Sequence, residues 1–169
     1  TVKRICRKRT LLGIKKMESW IGRAMTADDV EPVNWAQAEW AKSVSAVEYG
    51  AALGAVVEYR RALQSWWTEG WDLLLTPTLS EPPVRIGEHD ATPDDPMAGM
   101  KRAASFVGFT PPFNASGQPA ISLPLHWNDT GLPIGVQLVG AYGREDLLLA
   151  VASQLEAVHP WAGRRPNLA

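Results

Sequence analysis

Few side chains in this sequence are of the kinds that make or break bonds, and their spacing decides how far each can be taken. Ser116, His126 and Asp129 supply the three groups of a serine–histidine–acid relay, in which histidine takes the serine proton and the carboxylate orients the histidine. The local pattern does not support the relay. No Gly-x-Ser-x-Gly turn is present, and Ser116 precedes Gly117 with neither a strand running in nor a helix running out. Ser122 lies inside an apolar run and reads as a strand residue. Cys6 stands among basic residues without a positioned histidine, and reads as a reactive surface thiol. Glu88-His89-Asp90 holds three metal-ligating residue types, but adjacent residues seldom converge on one ion and no partner follows at helical spacing. No phosphate-cradling glycine loop or zinc spacing occurs. The reading is of a chain with no catalytic residue, no metal site and no cofactor site of its own.

The elements that would position anything else can be read from periodicity. Residues 17–25 form a short helix, Trp35 to about Val44 a second, and Ser45 with Glu48 three residues on makes a capping box for a long third helix ending near Glu69 at Gly70. The stripe of that helix is Tyr49, Leu53, Val56, Leu63 and Trp67, widened by Ala52, Tyr59 and Trp66. Gly50 and Gly54 lie four apart inside it and read as the close approach of another backbone. Asp72–Thr76 is a buried strand stopped by Pro77. Residues 77–96, with five prolines, are a long surface excursion, and Asp94-Asp95 cap a helix over about Pro96–Phe106. Residues 109–119 read as a tight loop. They lead into a strand at Ala120–Leu125, a turn at Asn128–Gly131 and an antiparallel strand in which Ile134, Val136 and Leu138 alternate with Gly135, Gln137 and Val139. A last helix spans Arg144–His159 with Leu148, Val151, Leu155 and Val158 facing the sheet. Trp161 is a packing anchor and Arg164-Arg165-Pro166 a solvated end.

Composition narrows the class. The chain has 169 residues, 46% of them hydrophobic, which suits one globular domain with a core and argues against disorder. Five of its eight tryptophans, Trp35, Trp40, Trp66, Trp67 and Trp71, fall in one region and suggest large buried contacts there. A single cysteine excludes an internal disulfide framework and suits a reducing cytoplasm. No apolar run is long enough for a membrane span. Residues 1–16 carry seven of the seventeen Lys and Arg and no acid. Lys3, Arg4, Arg7, Lys8, Arg9, Lys15 and Lys16 read either as an arm for nucleic acid or as a solvated, poorly ordered terminus. No aromatic residue interleaves with the bases to stack on nucleobases, so the solvated terminus is preferred and nucleic acid is not expected as a partner.

Phe109-Thr-Pro-Pro-Phe-Asn-Ala-Ser-Gly-Gln-Pro-Ala-Ile-Ser-Leu-Pro124, followed by Gly131-Leu-Pro-Ile-Gly-Val-Gln-Leu-Val-Gly140 and a helix opening at Glu145, resembles the C-terminal part of the amidase signature family of serine amide hydrolases. Residues 71–83, WDLLLTPTLSEPP, and 28–39, DDVEPVNWAQAE, are similar to further segments of the family in the same order. The resemblance runs over roughly residues 17–166, the part read as an amidase domain that begins after the basic arm 1–16. It implies an α/β fold, with a mixed β-sheet flanked by helices in the complete enzyme. It also implies hydrolysis of carbon–nitrogen amide bonds in small molecules. The family's catalytic lysine and two serines lie upstream of these motifs, and this chain has no Gly-Gly-Ser-Ser run. The resemblance therefore implies a portion that is inactive alone and needs the N-terminal half of an amidase as its partner. Carried over by position, Phe109 and Thr110, with Phe106 and Phe113 beside them, would wall the substrate pocket. Where the amidotransferase A subunit of the family carries an acidic residue for the substrate amino group, this chain has Val107, which points to a more apolar amide.

Overall fold

A computed structural model describes residues 1–92 and 94–165. The chain divides into two compact units, Thr1–Tyr59 with Arg85–Ser105, and Arg60–Val84 with Phe106–Ala169. Among the described residues there are six α-helices, two short 3-10 helices and one three-stranded sheet, the expected α/β composition.

The first unit begins with α1 (Val2–Ile21), closed by Gly22 in the left-handed conformation, whose N–H bonds Glu18 O. The basic segment 1–16 is thus helical, and the short helix expected at 17–25 is the end of α1. Intrachain contacts engage several of its bases. Arg7 lies 3.7 Å over the Trp40 ring, Arg4 pairs with Glu48 at 3.7 Å, and Lys15 bonds Glu18 at 2.7 Å. A 3-10 turn at Ala27–Asp29 has a complete capping box between Thr26 and Asp29. Helix α2 (Pro32–Lys42) opens on proline, where a missing N–H is harmless, and packs on α1. The buried apolar residues of the unit are Ile14, Ala38, Ala41, Val44 and Ala52.

Helix α3 (Ala46–Ser65) starts at the expected capping box. Ser45 N donates to Glu48 Oε2 at 2.9 Å and Glu48 N donates to Ser45 Oγ at 3.1 Å. Its final turn tightens to a 3-10 helix at Trp66–Glu69, and Gly70, at φ 95°, ends it as predicted. The expected stripe is only partly covered. Ala52 is buried, whereas Leu53 and Tyr59 are exposed, and no heavy atom of the described residues lies within 4 Å of a Cβ built at Gly50 or Gly54. The tryptophans meet each other more than they fill a core. Trp66 packs edge-on to Trp67 at 4.7 Å and stacks with Trp71 at 5.7 Å, while Trp71 and Trp40 are exposed. Residues 85–92 and 94–97 stay irregular up to α4 (Ala98–Phe106), with Asp95 accepting the Met97 N–H at 2.9 Å as the foreseen cap. Gly99 lies flush against the loop: a Cβ there would stand 1.7 Å from His89 O.

The second unit is built on an antiparallel sheet of order β1-β3-β2: β1 (Leu73–Pro77), β2 (Ala120–Trp127) and β3 (Pro133–Gly140). Leu75 pairs with Leu138, and Ile121 pairs with Leu138 from the other side. The β2–β3 register slips between Leu123 and His126, where Pro124 lacks an N–H for the ladder. The hairpin turn is tied by Asn128, whose Oδ1 accepts from Thr130 N, Thr130 Oγ1 and Leu132 N at 2.8–3.1 Å, with Gly131 at φ 79°. Residues 111–116, expected as loop, wind into a short helix α5 (Pro111–Ser116) that ends at Gly117 with φ 78°. Helix α6 (Glu145–Val158) covers the sheet through Leu148 and Ala152, which join Leu123 and Leu138 in the core, with Val151, Leu155 and Trp161 alongside. Val158, the last residue of the expected stripe, is exposed, since α6 ends there and Pro160 turns the chain away. Arg164 lies 4.2 Å over Trp127 rather than in open solvent, and Pro166 of the expected solvated end lies outside the described residues.

Candidate functional site

The four residues expected to wall a pocket fall in one segment of the second unit, but not on one surface. Phe106, at the end of α4, is half-buried and its carbonyl accepts from Ser80 N at 3.1 Å. Phe109 is exposed, and Thr110 half-buried. The Thr110 carbonyl takes the N–H groups of Phe113 and Asn114, both at 3.2 Å, and so starts α5. Phe113 belongs to the core at 7% exposure.

The side chain that fixes Phe109 was not foreseen. Gln137, 4% exposed on β3, donates its amide to Thr76 Oγ1 at 2.9 Å and to Phe109 O at 3.3 Å. One buried amide thus ties the outer strand β1 and the Phe109–Thr110 segment to the central strand. Next to it on β3, Gly135 makes room for a second polar contact. Thr78 Oγ1 and Ser122 Oγ are hydrogen-bonded at 2.6 Å, and a Cβ at Gly135 would stand 2.7 Å from each.

A third cluster closes α5. Ser116 is fully buried, and its Oγ donates to Gln118 Oε1 at 2.9 Å and reaches Phe113 O at 3.3 Å. Arg60 Nε donates to Ser116 O at 3.0 Å. Ser116 is therefore a structural serine, bonded to a glutamine and a carbonyl rather than to a histidine, and Ser122 is engaged by Thr78. Among the described residues the recorded partners of these two hydroxyls are Gln118, the Phe113 carbonyl and Thr78.

The carboxylates held below their ordinary range lie at helix ends. Asp29 is lowered first by its bidentate bond with Arg23 and then by the Thr26 N–H. Glu48 is lowered by the Ser45 N–H and hydroxyl, and Asp95 by Lys101 and the Met97 N–H. Glu88, one of the three adjacent metal-ligating types, pairs with Arg102 at 2.7 Å. Among the described residues no group of three or more His, Cys, Asp or Glu could hold a metal ion, and no helix is long and apolar enough to cross a membrane.

Comparison with known proteins decides the family. The sequence profile described as Amidase matches residues 2–149, so the match takes in the basic segment that the motifs alone had left out. The chain belongs to the amidase family. It is 43% identical over 160 residues to the 6-aminohexanoate-cyclic-dimer hydrolase of Paenarthrobacter ureafaciens, an alignment covering 92% of this chain and 32% of that protein. It superposes on the structure of a 6-aminohexanoate cyclic dimer hydrolase complexed with substrate with a TM-score of 0.91 and 41% identity, covering 98% of this chain and 36% of the other. A bacterial aryl acylamidase of the amidase signature family shares the fold at TM-score 0.70 and 20% identity. This amidase-family chain thus spans about a third of the length of the relatives it matches. Gln137 and Gly135, which organise its candidate site, are signalled in the sequence only as a glutamine and a glycine inside an apolar strand.

Proposed function

We propose that this chain is the C-terminal, substrate-facing portion of a serine amidase that hydrolyses small amides to an acid and an amine or ammonia. What carries the reading is the combination of 43% identity over nearly the whole chain with coverage of only 32% of a hydrolase of a cyclic amide. In this reading Phe109 and Thr110 present the pocket wall, Phe106 borders them, and Phe113 anchors the segment from the core. Gln137 holds Phe109 in place. The nucleophilic serine and its lysine–serine proton relay come from the remaining part of the enzyme. There the serine oxygen attacks the amide carbonyl, the C–N bond breaks as the relay protonates the departing nitrogen, and water releases the acid. With Val107 in place of an acidic group, the pocket wall suits an apolar amide, and the cyclic dimer of 6-aminohexanoate is the first substrate to try.

Two measurements test this. The chain alone should take up no serine-directed fluorophosphonate by intact mass. A stoichiometric adduct lost on heat denaturation would place an activated serine here and refute the division of labour. Joined to the other two-thirds of the P. ureafaciens hydrolase, the chain should support turnover, with Phe109→Ala lowering kcat/KM about tenfold or more. Unchanged kcat/KM would remove Phe109 from the pocket.

A further inference from the structure

Helix α3 is apolar on two opposite sides, and only one of them is used. Counting about 100° per residue around the helix, Tyr49, Ala52, Val56 and Leu63 share one side, with Ala52 buried and the other three half-buried. Val47, Gly50, Gly54 and Val57 share the other along the first three turns, and Arg61 ends it one turn further on. Val47 is 82% exposed and Val57 44%, and nothing among the described residues lies within 4 Å of a side-chain carbon built on either glycine. The helix is charged elsewhere, at Glu48, Glu58, Arg60 and Arg61, and an uncovered apolar strip between such residues is ordinarily a contact surface. Glycine is also among the least helix-favouring residues, and two of them inside one helix weaken it unless something approaches the bare backbone. Among the described residues nothing does.

The matched relatives point to the occupant. At TM-score 0.91 over 98% of its length, this chain has the conformation of one third of a hydrolase whose other two-thirds are additional protein. We propose that the Val47–Gly50–Gly54–Val57 face of α3 is the seat of a backbone segment from those remaining two-thirds of an amidase, the glycines admitting its close approach. The inference rests on the proposed function and names the surface through which the two parts of that enzyme meet.

The test compares one substitution in two settings: this chain alone, and a full-length fusion in which it replaces the matching third of the P. ureafaciens hydrolase. Alone, Gly54→Leu meets open space and should leave the thermal midpoint unchanged or raised, and Gly54→Ala should raise it. In the fusion Gly54→Leu should lower the midpoint by at least about 2 °C, because a large side chain then enters a packed contact. The same response in both settings would overturn the inference, as would a fusion that does not fold cooperatively. So would an isolated chain that sediments as a dimer and is dispersed by Gly54→Leu, since the face would then belong to a second copy. A fusion that folds, depends on Gly54 and hydrolyses no amide would refute the proposed function and leave the surface assignment standing. An active fusion indifferent to Gly54→Leu would do the reverse.

Discussion

Replacing Gln137 by leucine keeps the side-chain volume and removes both hydrogen bonds that tie Phe109 and Thr76 to β3. The amide is 4% exposed, so its bonds form with little competition from water. Each is worth about 0.5–1.5 kcal/mol net, giving about 1–3 kcal/mol for the pair. The two acceptors left behind differ. Thr76 Oγ1 retains a bond to Pro77 O at 3.0 Å, whereas the Phe109 carbonyl must find water or move. In urea the midpoint should fall by about 0.5–1.5 M, taking an m-value near 2 kcal/mol/M. Thr76→Val and the double variant complete a cycle that should give about 1 kcal/mol of coupling. In the joined enzyme the same change should act chiefly through KM, since it loosens the proposed wall without touching the reacting atoms. A midpoint shift under about 0.2 M with no coupling to Thr76 would refute the claim that this amide organises the segment.

Two further outcomes follow from the first unit. Asp29, Glu48 and Asp95 have carboxyl groups lowered from ordinary values of 3.8, 4.5 and 3.8, so the stability they contribute is present above those values and is lost as pH falls through and below them. The melting temperature should be level above about pH 5 and fall below about 4.5, and Asp29→Asn should flatten part of that fall; parallel curves for the two proteins would show the Arg23 pair to be inert. Gly99→Ala would put a carbon 1.7 Å from His89 O, forcing helix and loop backbones apart, and should cost about 3 kcal/mol or more by urea unfolding. A loss under about 1 kcal/mol would mean that the loop yields freely.

Local signals in the sequence carried a long way where one residue type has one job. The Ser45–Glu48 box, Gly70 at the end of the α3 segment and the Asn128–Gly131 turn each specify a backbone shape through their own hydrogen bonds or a positive φ, and each is found as expected. Alternation failed in β3 because it presumes one wet face. β3 lies between two strands under α6, and Gln137, Leu138, Val139 and Gly140 are buried in succession. The helical order of the basic start was not legible locally, because its contacts with Trp40 and Glu48 join residues more than thirty positions apart in sequence. Phe113 could not be told from Phe109 by type. Only the turn of α5 sends one to the core and leaves the other at the surface.

The slip in the β2 ladder also gives the sheet a direction of growth. Its two outer strands are unequal as templates. A chain laid along β2 would meet Pro124, which has no hydrogen to donate, and then a register shifted by the bulge. Along β1, Leu73–Thr76 run without a proline until Pro77, and Leu75 stands 66% exposed. A proline thus interrupts β2 in its middle and β1 only at its end, which makes β1 the better template for lengthwise pairing. A second proline in β1, at Leu75, would make the two flanks alike.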